Sequence, residues 1–429
     1  MRYIYTSLIF LLISPTYSQD VRTMLKDHYK TEIQDLVKKQ SIQSAFDFIM
    51  KDSERTLKEH IYLTEIPAPP FMEDERASAF QTLLQDLAVD SVWIDEVGNV
   101  FGLVKGTERR RTIAIDGHLD TVFPEGTDVT VKIRNDTLFA PGVSDDTRAL
   151  AMLTGMIRAL KHTETKLKQD VLFIGSVGEE GLGDLRGVKE IFSERGPKID
   201  SWISIDGGTI GRVNIKGLGS YRYRVTFKGP GGHSWGAFGL VNPHHALGEA
   251  IHLFVDEADQ FTSYGDRTSY NVGVIGGGTS VNSIPFESLM EIDMRSVNPL
   301  RLDTLEKKLF VSINKAVEKQ NKLKRLGEDL TVVIDKIGYR PSGELSPELP
   351  LIQRALASTA YFGKLPELTR GSTNSNIPIS LGIPAVTIGR GGVGAYAHSL
   401  DEWWLDKDAY KAIQLAYLLM ISEAGLDMP

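Results

Sequence analysis

Seven side chains have types and spacings that could do chemistry together: His118, Asp120, Asp145, the adjacent pair Glu179-Glu180, Asp206 and His398. All are carboxylates or imidazoles, the donors that divalent cations of hard or borderline character accept. Most stand where an apolar run gives way to a loop. His118 closes Thr112-Ile-Ala-Ile-Asp-Gly-His, Glu179-Glu180 follows Val171-Leu-Phe-Ile, and Asp206-Gly-Gly follows Trp202-Ile-Ser-Ile. A strand end projects its side chain into the crevice above an α/β sheet, where such proteins place their sites. Asp145-Asp146 follows a Pro-Gly turn and precedes a helical stretch. There Asp146 suits a helix N-cap and Asp145 a ligand. Adjacent carboxylates repel unless a cation lies between them. One of the Glu179-Glu180 pair could bind metal while the other takes a proton from metal-activated water. Singly, each position has a plainer reading: a polar strand end, a cap, a solvated acidic turn, a hydrogen-bonded structural histidine.

The elements that must position these residues follow from periodicity. Residues 21–64 are expected to be helical up to the prolines at 67, 69 and 70, and 73–88 to form a second helix. Short β-branched runs at 91–94, 100–104 and 112–115, a helix over 147–160, a strand over 171–176, a helix over 185–194 and a strand over 201–205 predict an α/β domain with a largely parallel sheet. After Asp206 the order becomes strand, helix, strand, strand, helix, strand, ending near Lys336, which is the split ferredoxin-like motif. The α/β pattern returns from about residue 340. A small α+β module therefore interrupts an α/β domain, with expected limits 19–214, 215–337 and 338–429.

The chain of 429 residues is long enough for two domains. Its net charge of −8, with no Lys/Arg tract, argues against nucleic acid as a partner. It has no cysteine, which excludes disulfides, thiolate ligands and a cysteine nucleophile. Residues 1–18 read as a secretory signal peptide: a basic start, the apolar run Tyr3 to Ile13, and small residues before a cut near Ser18/Gln19. A secreted or periplasmic location is the expectation, with no membrane association after cleavage.

Taken in order, His-x-Asp, Asp-Asp, Glu-Glu, Asp-Gly-Gly and His-Ser-x-x-Glu form a series that resembles the di-zinc exopeptidase and amidohydrolase family of glutamate carboxypeptidase, succinyl-diaminopimelate desuccinylase, acetylornithine deacetylase, aminoacylase and tripeptide aminopeptidase. The resemblance covers nearly the whole chain after the signal segment. It implies a zinc-exopeptidase-like catalytic domain, with a central mixed sheet flanked by helices, and an inserted ferredoxin-like module serving as lid and dimerisation surface. It implies two zinc ions, with cobalt or manganese able to use the same ligands. Asp145 would bridge them, His118 and Asp206 would complete one set of ligands, and Glu180 and His398 the other. Glu179 would be the general base and Asp120 would orient His118. The Asp145-Asp146 peptide would be cis.

The module carries three further polar islands. His233 lies in Lys228-Gly-Pro-Gly-Gly-His, Asn282 in a Gly-rich turn, and Arg295 in Asp-Met-Arg-Ser. Turn chemistry accounts for the first two and a solvent-facing strand position for the third. The resemblance instead makes His233 an oxyanion-stabilising residue, often reaching a neighbouring subunit's site, and makes Asn282 and Arg295 substrate-binding residues. Arg295 would hold a carboxylate by paired hydrogen bonds. Two departures from the family pattern stand near the substrate side: Asn374 where Asp is usual, and Thr147-Arg148 where Lys-Gly is common. The expected activity is hydrolysis of an amide in short peptides. The rivals are N-acyl-amino-acid deacylation on the same scaffold and, from another class, a non-catalytic metal-stabilised binding protein.

Overall fold

The computed structural model describes residues 24–427, so the signal-peptide expectation over 1–18 lies outside the described residues. Among the described residues no helix is long and apolar enough to cross a membrane.

A nine-stranded mixed sheet forms the larger part of the molecule. Its spatial order is Ser91–Ile94, Val100–Val104, Asp170–Ser176, Thr112–His118, Ser201–Ile205, Ala385–Ile388, Arg212–Gly217 and Gly343–Glu344, with Glu367–Gly371 also pairing on Arg212–Gly217. Thr112–His118 lies parallel to both Asp170–Ser176 and Ser201–Ile205, and Ala385–Ile388 runs parallel to Ser201–Ile205. These strands are apolar runs rather than alternating ones because helices cover both faces, leaving Ile113, Ala114, Ile115, Phe173, Ile174 and Trp202 buried. Helix Thr147–His162 is buried through nearly all of its length. The parallel strands share one direction, so His118, the Glu179-Glu180 turn and Asp206 all emerge at one edge of the sheet.

The N-terminal stretch differs from the single helix expected over 21–64. It forms three helices, Asp27–Val37, Gln40–Lys51 and Ser53–Thr64. The backbone turns extended at Lys39 and leaves helical geometry again at Asp52. The shorter pieces can then pack around Thr147–His162, where buried Arg158 pairs with Asp52 and Glu59 at 2.6 and 2.5 Å. The helix expected over 185–194 is also shorter, Arg186–Ile191. It is preceded by left-handed backbone at Asp184 and Leu185.

Between residues 219 and 340 the chain builds a separate four-stranded antiparallel sheet in the order Thr268–Gly277, Glu287–Ser296, Gly219–Lys228, Thr331–Arg340. The two helices Pro243–Thr262 and Pro299–Leu323 cover one face and share a second hydrophobic core with it. Each helix opens on an asparagine whose side chain accepts from the first turn, Asn242 and Asn298, followed by proline at the first helical position. Strand alternation sends Met290, Ile292 and Met294 into that core and Glu291, Asp293 and Arg295 to the other face. Arg222 sits opposite Asp293 in register, so it shares that open face.

A small sheet, Val393–Ala395, Trp403–Leu405, Thr137–Phe139 and Lys132–Arg134, joins two distant loops. It places the His398 loop beside the turn at 140–145, which the two sequence positions alone do not reveal.

Candidate metal centre

The crevice at the strand ends brings together all five expected ligands. Asp145 lies at its middle, with Oδ1 3.2 Å from His118 Nε2 and Oδ2 3.3 Å from His398 Nε2. Glu180 Oε1 is 2.8 Å from the same His398 nitrogen. One donor atom each from His118, Asp145 and Asp206 lie within 4.8 Å of one another, and the same holds for Asp145, Glu180 and His398. One carboxylate thus faces two imidazoles with different oxygens, and Asp145 belongs to both three-residue groups. The residues present fit two divalent cations sharing Asp145: the donors are nitrogen and oxygen only, and the carboxylates outnumber the imidazoles. Glu179 joins His118 and Glu180 in a third group of the same span.

The electrostatics follow from crowding anions where water is scarce. Burial opposes charge on His118, but the carboxylates of Asp120 and Asp145 outweigh it and hold the imidazole well above its ordinary value. Hydrogen bonds donated to the Asp145 and Glu180 carboxylates push the His398 imidazole up to about 10. Burial also resists ionisation of Asp145, yet Arg390, His118 and His398 keep its carboxyl well below the usual range. Glu179 goes the other way. Burial raises it well above an ordinary glutamate, with Glu180 adding to the effect and Arg340 opposing it. A carboxylate whose proton affinity has been raised is suited to carrying a proton at neutral pH.

Three residues that hold the centre carry no role in the sequence reading. Arg340, the last residue of its strand, donates from Nη1 to Glu179 Oε1 at 3.0 Å and to Ser372 Oγ at 3.0 Å, and from Nη2 to the Glu179 carbonyl. Arg390 places Nη1 3.1 Å from Asp145 Oδ1, 3.5 Å from Asp146 Oδ1 and 3.8 Å from Asp206 Oδ1. Fully buried Glu402 accepts from the backbone amides of Gly142 (2.8 Å), Ser144 (2.8 Å) and Asp145 (3.0 Å), and from Ser144 Oγ (2.6 Å). A signal for Arg390 was present: it follows the apolar strand Ala385–Ile388 and precedes two glycines, the same signature that marks Asp206. Glu402 is the last residue of His398-Ser-x-x-Glu, so the motif was visible while its task was not. Tyr396 and His398 both adopt left-handed backbone, at φ 61° and 67°. That costs non-glycine residues roughly 1–3 kcal/mol, and the flanking hairpin and Glu402 hold the loop in place.

Two expectations are corrected by this geometry. The nearest acceptor for His118 Nδ1 is the Asp120 main-chain carbonyl at 3.0 Å, while the Asp120 carboxylate is 3.6 Å away. The carboxylate instead accepts from the amides of Glu179 (2.9 Å) and Glu180 (2.7 Å), because that buried turn has no ladder partner for those groups. Asp120 therefore sets the ligand and base turn as well as the imidazole. Asp146 stands at the helix start but makes no capping hydrogen bond. Its Oδ2 accepts from the His118 amide at 3.2 Å, and its other oxygen faces Arg390. The Asp145-Asp146 peptide is cis, as the resemblance implied.

The residues of the inserted module divide. Arg295 lines the crevice, a cavity of about 540 Å³ that also includes His118, Glu179 and Asp206. Its Nε donates to Asp293 Oδ2 at 2.7 Å, and Asp293 Oδ1 accepts from Arg222 at 2.9 Å. His233 and Asn282 are exposed and are not among the cavity-lining residues. They sit near each other at the module's tip, where Gly232–His233 pairs with Ser283–Ile284. The departures read from sequence also have places. Asn374 is buried beneath the centre and donates to Asp116 Oδ2 at 2.6 Å and Ser176 Oγ at 2.7 Å. Arg148 is buried, with its guanidinium over the Trp404 ring. Neither Asn374 nor Arg148 reaches the cavity.

Residues 114–422 match the sequence profile of peptidase family M20/M25/M40. The chain is 24% identical over 360 residues to the uncharacterised protein YqjE of Bacillus subtilis, covering 80% of this chain and 91% of that one. Its fold resembles the crystal structure of aminopeptidase PepT from Bacillus cereus, with a TM-score of 0.69 and 21% identity, over 87% of this chain and 99% of the other. It also resembles Bacillus subtilis YXEP, described as a dinuclear metal-binding peptidase, with a TM-score of 0.62 and 18% identity over 87% and 99% of the two chains.

Proposed function

The chain belongs to peptidase family M20/M25/M40, and from that premise we propose that it is a two-metal exopeptidase that hydrolyses amide bonds in short peptides. The observation that carries the reading is the divided Asp145 carboxylate, one oxygen toward His118 and the other toward His398. His118 and Asp206 would hold one cation, Glu180 and His398 the other, with Asp145 between them; zinc suits this donor set, and cobalt or manganese could use it. When bound, such ions supply Lewis-acid polarisation of a carbonyl and lower the pKa of water.

Glu179 accepts the proton of the attacking water and returns it to the departing amine. Arg340 holds one Glu179 oxygen, leaving the other to carry that proton. Arg295 faces the crevice from the inserted module and would bind the substrate carboxylate, with Asp293 fixing its orientation. We assign His233 and Asn282 to a partner subunit's crevice, because in their own chain they stand exposed and away from the cavity. Exposed Trp235, Val281 and Phe286 beside them supply apolar area for such a homodimer. We also place the mature protein in the periplasm or outside the cell, on the reading of residues 1–18; fractionation of cells expressing the full chain tests that placement.

The deciding experiment is turnover of a panel of di- and tripeptides against N-acetyl and N-succinyl amino acids by metal-loaded protein. Peptide cleavage is expected. Cleavage of the acyl amino acids alone would replace the peptidase reading with deacylation, and turnover of neither would remove hydrolysis of both classes.

A further inference from the structure

Four of the five arginines lining the crevice are already engaged. Arg390 faces the ligand carboxylates, Arg340 holds Glu179, and Arg222 and Arg295 share Asp293. Arg212 differs. It begins the strand Arg212–Gly217 and lines the same crevice, but among the described residues its side chain makes no hydrogen bond and no ion pair, acting on Asp206 through space. Its guanidinium lies in a slot kept open by two glycines. A Cβ on Gly207 would fall 2.5 Å from Nη1, and a Cβ on Gly371 would fall 2.6 Å from Nη2. Gly207 directly follows the ligand Asp206, so the slot opens beside the metal centre. Arg212 is partly exposed and its guanidinium nitrogens are not among the buried polar atoms without a partner, so they reach the solvent of the crevice and leave their donors free for an incoming anion.

The two guanidinium groups stand on different parts of the molecule. Arg295 projects from the open face of the inserted sheet, and Arg212 from the large sheet at its ligand-bearing edge. We propose that Arg212 forms a second anion subsite, so that the preferred substrates are dianionic, one carboxylate held by Arg295 and the other by Arg212. This inference rests on the amide-hydrolase reading of the crevice and narrows its substrate class to short peptides with an acidic side chain beside the scissile bond. A planar guanidinium accepts a carboxylate by two parallel hydrogen bonds, whereas the isosteric carboxamide offers one neutral oxygen and a donor that clashes with it.

The test uses isosteric pairs, Ala-Glu against Ala-Gln and Glu-Ala against Gln-Ala, with zinc-loaded full-length protein. The expected result is a kcat/KM at least about tenfold higher for the acidic member of one pair, the scale of one charge-assisted hydrogen-bond pair. Arg212→Gln should collapse that ratio toward one, and Arg212→Lys should leave an intermediate ratio. Parity within both pairs for the unmodified protein overturns the proposal without any variant. So does an Arg212→Gln protein that loses both members of a pair equally together with zinc affinity, since Arg212 would then act only through neighbouring Asp206. Calorimetric binding of L-glutamate and L-glutamine separates this proposal from the reading beneath it. Preferential glutamate binding that Arg212→Gln abolishes, with no peptide turned over, keeps the subsite and removes the peptidase reading. Turnover without discrimination removes the subsite and keeps the peptidase.

Discussion

The edge of the large sheet and the tip of the inserted module carry polar residues in opposite ways. At the sheet edge, each side chain is held by several others: Asp145 by two imidazoles and Arg390, Glu179 by Arg340, and the Asp145 turn by four hydrogen bonds to Glu402. At the tip, His233 and Asn282 are exposed, with their neighbours supplied by the turn itself. The difference teaches where each task can be completed. The sheet edge assembles a candidate metal centre within one chain, whereas at the tip His233 and Asn282 stand outside the crevice that the described residues form.

The largest effect should come from Glu179. Replacing it with Gln should lower kcat by about 10²–10⁴, the range of general-base removal, while metal content measured by plasma emission stays unchanged. A fall in metal content would move Glu179 from proton carrier to ligand. His233→Ala comes next, with about 10²–10³ lost in kcat if it stabilises an oxyanion. Mixing that variant with Glu179→Gln breaks or sharpens the comparison directly. If the tip serves a partner, mixed dimers regain activity, because one crevice then has an intact base and an intact partner imidazole. Absence of recovery after subunit exchange would return His233 to its own chain.

A smaller loss is expected at the clamp. Glu402→Gln should weaken zinc binding by about 10–100-fold, as removal of outer-shell partners does, whereas Asn282→Ala should leave zinc affinity unchanged. Equal effects of the two in a competitive chelator titration would erase the contrast between edge and tip. The smallest effect concerns His60, buried under the Asp145 turn with Nε2 2.5 Å from the Val143 carbonyl. Burial, aided by Arg148, pushes its imidazole down to about 3. The unfolded chain binds a proton there near pH 6.5 that the folded chain refuses. Its contribution is therefore complete above about pH 6.5 and is lost as pH falls toward 3, at a slope of up to about 1.4 kcal/mol per unit. Urea midpoints from pH 7 to pH 4 should fall more steeply for the unmodified protein than for His60→Gln. Parallel profiles would mean that His60 is not held neutral.

The same contrast explains what could be read from sequence. The candidate ligands His118, Glu180 and Asp206 were legible because a parallel strand buried on both faces must be a continuous apolar run, and its end must be polar where it meets a crevice. The order of the inserted module was legible from its strand and helix periodicities. Arg340 and Arg390 were not legible as partners of Glu179 and Asp145, which lie 161 and 245 residues away in the chain. A guanidinium at a strand end reads as solvated until the fold closes around it. Arg212–Gly217 and Glu367–Gly371 escaped for a related reason, since each is short and partly polar and is held as a strand by partners distant in the chain. The Asp120 carboxylate was assigned to His118 because the two are close in sequence; the amides of Glu179 and Glu180 claimed it in space.

The central claim is that two cations share Asp145. Anomalous diffraction from crystals of the protein loaded with zinc tests it most directly. The account predicts two peaks flanking the Asp145 carboxylate, one beside His118 and Asp206 and the other beside Glu180 and His398. A single peak at full loading, or peaks away from Asp145, would contradict it.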